Sequence, residues 1–261
     1  MRKMGRIAIS IVIALLAVAC SSSSSTTTSP GAGSTPLTVF AASSLTKAFT
    51  QIEQDFHTAN PEVTVTFDFG SSTDLAAQIQ SEGTADVFAS ASGIAMDSVE
   101  GDPGVTDRSV FATNRLVVIT PPDDPAGIAS IADLAKSGVQ LVLAAKGVPV
   151  GDYARQALTS AGILQAAMQN VVSNEDDDAS VVAKVTSGEA DAGIVYTSDV
   201  VAAGNAVRSV TIPPAVNVVA SYPIAVVVGS TQSQAGTSFL DYVVGSKGQA
   251  TLKDFGFGPA G

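Results

Sequence analysis

From Leu37 onward, short apolar runs alternate with stretches of helical periodicity, and this alternation confines the chain to layered α/β folds. The runs read as strands: LTVFA, VTVTFDF, DVFAS, RLVVIT, QLVLAA, NVVS, AGIVY and IAVVVG. Between them lie helix patterns such as LTKAFTQIEQDFHTA, STDLAAQIQSEG, YARQALTSAG and SVVAKVTSGEA. Several close on Gly or Asn followed by polar residues, as helix C-termini do. NPE after the first helix is a turn that restarts the chain as a strand.

The pattern occurs in two similar halves. A strand–turn–helix unit leads each, at Val39 and again at Leu141. RLVVITPPDDPAG runs extended into a Pro-rich break between them, and NVVASYPIAVVVG forms a second long extended crossing near the end. Two crossings predict two α/β domains, residues 37–117 with 221–261 and residues 118–220. A ligand is then expected in the cleft, outside the carboxyl ends of the strands.

The first 19 residues read as a secretory signal rather than as fold. Arg2, Lys3 and Arg6 precede an apolar run, Ile7 to Ala19, interrupted only by Ser10. As a helix that run rises only about 20 Å, too short to span a bilayer. It ends LLAVAC, and Cys20 is the one cysteine in the chain, so no intrachain disulfide can form. The segment resembles the lipobox of bacterial lipoproteins, although Ala17 stands where that motif usually has Leu. The resemblance implies lipidation of Cys20 and an extracytoplasmic location at the cell membrane. Residues 20–36, rich in Ser and Thr, read as a tether with an r.m.s. reach of about 20 Å.

The formal charge is −11, and without Arg2, Lys3 and Arg6 the chain has 10 basic against 24 acidic residues. That balance argues against nucleic acid or an anionic membrane surface as a partner. Any bound anion must be held by local dipoles and hydrogen-bond donors against the global field.

Four turns have the chemistry to do so. In AASSLTKAF, Ser43 or Ser44 stands where a strand gives way to a helix whose first turn has Lys47 and no acid. Either serine can cap that helix, or the hydroxyls and the helix N-terminus can meet an external anion. FGSSTDLAAQI repeats the arrangement around Gly70 and Ser72, with Asp74 close by. In KGVPVGDYARQAL, Pro149 and Gly151 shape a turn at which Val150 offers only its backbone N–H. SNEDDDASVV and AGIVYTSD make the fourth pair, with Tyr196 at a strand end, able to reach a cleft with its phenol.

VFAASSLTKAF, GSSTDLAAQI, ADVFASA, VPVGDYARQAL, GEADAGIVYTSDV and YPIAVV resemble, in order and spacing, the molybdate-binding proteins of ABC importers. The resemblance spans nearly all of Leu37 to Phe257. It implies the two-domain type II periplasmic-binding-protein fold and a non-enzymatic protein that grips molybdate or tungstate between its domains. The partners implied are an ABC permease and its ATPase, with no cofactor and no direct protein ligand to the metal. Ser44 and Ser72 are implied to supply hydroxyls and amides, Val150 an amide and Tyr196 its O–H. Asp178 falls where relatives have a small apolar residue that gives an amide. An ionised carboxylate there would repel a dianion. Its side chain turns to solvent, or is protonated, or the alignment is off by a residue or two; the first is the expectation.

The alternatives come from other chemistries. Phosphate keeps a proton near neutral pH, which an inward Asp178 would suit, and sulfate differs from molybdate mainly in size. A hydrolase would use Ser43 or Ser44 with His57 as base, but the G-x-S-x-G form is missing and His57 lies about 20 Å along the helix. Sugar sites usually stack rings on aromatics, and the chain has no Trp. With one His and scattered acids, a metal site is poorly supported; the EDDD run reads as a helix start.

Overall fold

A computed structural model of the protein describes residues 34–260. The leader, Cys20 and most of the tether lie outside the described residues. Thr35 and Pro36, which composition assigns to the tether, belong to the first strand and pair with Val63 and Thr64. Pro36 is tolerated because the neighbour on the other side pairs only with Val39–Ala41 and needs no N–H from it.

The fold is α/β, as the alternation predicts. In the first half, β1 (Thr35–Ala42) lies parallel to β2 (Val63–Gly70) and to β3 (Val87–Ala89). The helices between and after them are α1 (Thr46–Ala59), α2 (Ser72–Glu82) and α3 (Gly93–Gly101). In α1, Ala48, Phe49, Ile52 and Phe56 recur at helical spacing and are fully buried, which fixes the face turned to the sheet. Phe49 and Phe56 meet Phe239 of α8 (Ser233–Val244) edge-on, with ring centroids 5.8 and 5.4 Å apart.

The second half is built on β5 (Leu141–Ala144), parallel to β6 (Val171–Glu175) and β7 (Ala192–Tyr196). LVLA is apolar at every position because β5 is covered on both faces. Its helices are α4 (Pro149–Ser160), α5 (Leu164–Gln169), α6 (Asp178–Thr186) and α7 (Thr197–Ala203). A short β8 (Arg208–Thr211) follows, and the chain then returns to the first half through β9 (Val219–Val227), α8 and α9 (Ser246–Asp254).

One long strand, β4 (Val105–Thr120), joins the halves. From Val105 to Arg115 it pairs with β9; from Leu116 to Thr120 it pairs with β7 and β8, all antiparallel. The sheet order is β2-β1-β3-β9-β4-β7-β5-β6, with β8 paired to β4 off this path. Because β9 is antiparallel to β3 and β4, and β4 is antiparallel to β7, the two parallel groups run in opposite directions. Their carboxyl ends therefore converge on the middle of β4. The sequence reads β4 only from Arg115, since register shifts between Thr106 and Ser109 and between Val110 and Ala112 break the two-residue alternation before it.

Candidate functional site

Each converging strand ends in one of the turns singled out above. After β1 the chain does not enter α1 directly but makes a 3-10 turn, Ser43–Leu45, and neither serine caps the helix. That turn decides which hydroxyl faces the cleft. Ser43 Oγ donates to Asp178 Oδ1 across the halves, whereas Ser44 Oγ pairs with the Tyr222 hydroxyl of β9 at 2.9 Å. After β2, Ser71 is the N-cap of α2, yet its side chain makes no capping bond. Ser72 Oγ, one position on, accepts the Ala91 N–H at 2.9 Å. Asp74 is exposed and turned away.

From the second half, α4 begins with Pro149 and brings Val150 in its first turn, where helical N–H groups have no partner within the helix. Gly151 allows this approach: a Cβ there would lie 2.3 Å from the Ala145 carbonyl oxygen and 2.4 Å from that of Ala144. Arg155 locks the same corner, donating to the carbonyls of Ala144 and Gly151 and to Asn174 Oδ1, each at 2.8 Å. It packs the second half and does not reach the cleft cavity. Tyr196 ends β7 with its ring buried edge-on against Tyr222, centroids 5.9 Å apart.

These elements enclose a cavity with about 10 Å³ of room for the centre of a water molecule, enough for one small group. Ser43, Ser71, Ser72, Val150, Asp178 and Tyr196 are in its wall, and no Lys, Arg or His is. Among the described residues, the buried side-chain polar atoms without a hydrogen-bond partner are Ser71 Oγ, Asp178 Oδ2 and Tyr196 O–H. All three belong to residues of this wall. Buried polar groups are rarely left unpaired, so their convergence marks a place for a polar ligand. A larger hollow of about 440 Å³ between α2, α3 and α4 has none of these atoms and is the groove outside the cavity.

The structure thus brings Ser72, Val150, Asp178 and Tyr196 together and leaves Ser44 behind the wall, tied to Tyr222. Ser43 and Ser71 present the hydroxyls at the positions that the sequence reading gives to Ser44 and Ser72. Asp178 departs from expectation too: its side chain is not in solvent but buried, at 4% exposure. Asp177 takes the N-cap of α6 and accepts the Ser180 N–H, so Asp178 at the next position is turned inward.

Asp178 is not alone. Asp199 of α7, which sequence reasoning passed over, is also buried and borders the same hollow as Asp178. Asp199 Oδ2 accepts the Tyr196 N–H at 2.8 Å. The signal available in sequence was an acid three residues after a strand-terminal Tyr, a capping spacing. Burial pushes the Asp178 carboxyl up, although its hydrogen bond from Ser43 pulls the other way. Burial, and then repulsion from Asp178, holds Asp199 well above the usual carboxylate range. Burial also raises the Tyr196 phenol well above its ordinary value, so it stays protonated and able to donate.

The carboxyl pair has a consequence for stability. Between the ordinary carboxylate pKa and the raised values, the folded protein keeps protons that the unfolded chain has shed, so stability falls as pH rises. Asp199→Asn retains the acceptor for Tyr196 N–H and removes one of the two acids. It is expected to raise Tm at pH 8 by about 2–4 °C or more, the shift that 1 kcal/mol gives at this size, with the gain vanishing near pH 4. Thermal melts across pH check this; an equal gain at both ends would contradict it.

A family model for bacterial extracellular solute-binding proteins matches residues 37–258. The chain belongs to that family. Among the relatives of this solute-binding protein is the molybdate-binding protein ModA of Mycobacterium tuberculosis, 37% identical over 254 residues, covering 97% of this chain and 96% of that protein. ModA of Haemophilus influenzae is 30% identical over 278 residues, covering 98% and 99%. The periplasmic molybdate-binding protein of Azotobacter vinelandii superposes with a TM-score of 0.74 at 21% identity, covering 85% of this chain and 98% of that one, a likeness of fold. The solute-binding protein is therefore a binding protein and not an enzyme. His57, the only imidazole, is at the far end of α1 with Nδ1 3.0 Å from the Val63 carbonyl.

Proposed function

We propose that the protein captures molybdate, and tungstate with it, between two lobes, residues 37–117 with 221–261 and residues 118–220, and delivers it to an ABC permease and its ATPase. The observation that carries this reading is the cavity itself: buried, unpaired polar groups from both halves converge on a wall without a cationic side chain. Molybdate is a dianion with acceptors only, so a cage of hydroxyls, amides and helix N-termini matches it. Ser43, Ser71, the Val150 N–H and the Tyr196 phenol are the assigned donors, with Ser44 bracing them from behind and Ser72, in the wall, holding the Ala91 N–H. Hydrogen bonds to a charged group contribute about 1.5–3 kcal/mol each, so several offset the desolvation of the ion. The two ModA relatives named above, matched over 96% and 99% of their length, support the same ligand.

The polar groups of the wall are buried and come from both halves, so capture involves lobes that part and re-close around the ion. Thr73 Oγ1 of α2 donates to the Gly147 carbonyl at 2.6 Å, bridging the halves beside the cavity. Thr73→Val removes this latch without touching the ion. Release of molybdate is expected to be about 2–10-fold faster, as one net hydrogen bond gives, with stopped-flow fluorescence or competition as the readout.

Calorimetric titration with molybdate, tungstate, sulfate and phosphate tests the reading. Heat with molybdate and tungstate is expected, and its absence would refute the assignment. Phosphate is the second reading, because the inward carboxyl of Asp178 could accept the proton of hydrogen phosphate; tighter binding of phosphate than of molybdate would select it. Attachment to the outer face of the membrane through lipid on Cys20 completes the proposal, and mass spectrometry of the N-terminal peptide tests it.

A further inference from the structure

Ser43 cannot serve the ion in the arrangement described. A hydroxyl has one hydrogen, and that of Ser43 is given to Asp178 Oδ1. Molybdate has no hydrogen to offer in return, so a Ser43 that keeps this bond presents only lone pairs to an anion. The bond must reverse: Asp178 has to be protonated and donate to Ser43 Oγ, which frees the Ser43 hydrogen for the oxyanion.

We propose that Asp178 and Asp199 form a proton-holding pair, and that the oxyanion is taken up together with a proton retained on that pair. The inference rests on the reading of the cavity as the molybdate site. Two carboxyls are buried next to one hollow, Asp178 also in the cavity wall and Asp199 outside it. Two like charges so close cannot both ionise readily, and a dianion beside them adds to the repulsion.

The other groups around the pair offer no substitute for the proton. Asp177 on α6 caps its own helix. Tyr196 at the end of β7, Tyr222 on β9 and Tyr153 on α4 are phenols that burial keeps neutral. Lys47 on α1 is exposed and lines a separate hollow of about 250 Å³ that borders both carboxyls. That hollow gives the pair its exchange route with solvent. The proton comes from solvent water or buffer as the anion enters and returns there as it leaves; no bond other than O–H is made or broken.

Molybdate titrations of the full chain from about pH 6.5 to about pH 9.5, in buffers of different ionisation enthalpy, test this. Above the apparent pKa of the free pair, affinity is expected to fall toward tenfold per pH unit, with close to one proton taken up per anion bound. Asp178→Asn supplies an amide donor to Ser43 without a proton, so its affinity is expected to be flat across this range, with no buffer-dependent heat. In Asp199→Asn the like-charge partner is gone and the decline begins at lower pH. Tight, pH-independent molybdate binding by the wild type without proton uptake would overturn the inference and leave the site reading intact. An Asp178→Asn protein with the wild-type pH profile would overturn it as well. Absence of any molybdate binding would instead remove the site reading on which the inference stands.

Discussion

Replacing Ser43 and Ser71 together by alanine is expected to lower molybdate affinity by roughly 10²–10⁴-fold. Two hydrogen bonds to a charged ligand, at about 1.5–3 kcal/mol each, account for that range, since about 1.4 kcal/mol is one decade. The paired control is Ser44→Ala with Ser72→Ala. Ser44 supports the Tyr222 hydroxyl and Ser72 accepts the Ala91 N–H, both in the interior. Losing those partners costs about 1–3 kcal/mol of stability each and is expected to appear in Tm before it appears in affinity. Ser71→Ala alone is the cleanest member, because its hydroxyl has no partner within the protein to lose. Its Tm is expected to stay unchanged while affinity drops about 10–100-fold. Should the Ser44/Ser72 pair cost more affinity than the Ser43/Ser71 pair, the assignment of the facing hydroxyls is wrong.

Gly151→Ala is expected to have the second-largest effect, on stability and affinity at once. Its methyl group would be placed 2.3–2.7 Å from backbone atoms of Ala144 and Ala145, closer than any real carbon contact. Those atoms end β5, and Arg155 holds both the Ala144 and the Gly151 carbonyls, so neither side yields cheaply. Overpacking of this kind costs about 1–3 kcal/mol, occasionally more. The relief available is for the start of α4 to tilt off the strand ends, which withdraws the Val150 N–H from the cavity. Tm is expected to fall by about 2–4 °C per kcal/mol, with at least about tenfold weaker molybdate binding. Unchanged affinity alongside a lowered Tm would show that the Val150 amide is not a ligand.

The layered fold was legible because α1 and α2 carry their apolar residues at helical spacing and β5 is apolar at every position. The first half of β4 was not, because its bulges displace the alternation that marks a strand. At the site, the turns were legible and the individual atoms were not. Ser43 and Ser44 are adjacent in a strand-to-helix turn, and which one faces the cleft depends on a single 3-10 turn that composition does not announce. The same holds for Ser71 and Ser72, where the hydroxyl of the N-cap residue is left unpaired at the cavity and that of the first helical residue accepts the Ala91 N–H. For Asp178 the sequence points to an amide at the site with the side chain in solvent. Its inward course depends on Asp177 taking the cap, and on Asp199, distant in sequence, lying behind it.

The position of β9 between β3 and β4 also dictates an order of events during synthesis. A nascent chain that has reached residue 211 holds every strand of the second half, which can close as it emerges. The first half at that moment lacks an interior strand, so the edges of β3 and of the first part of β4 that β9 will join, and the face that α8 will cover, are open. Contacts that span more than a hundred residues form slowly. The N-terminal lobe is therefore the last to mature, and a ribosome stalled before residue 219 would carry a finished second lobe beside an open, adhesive first one.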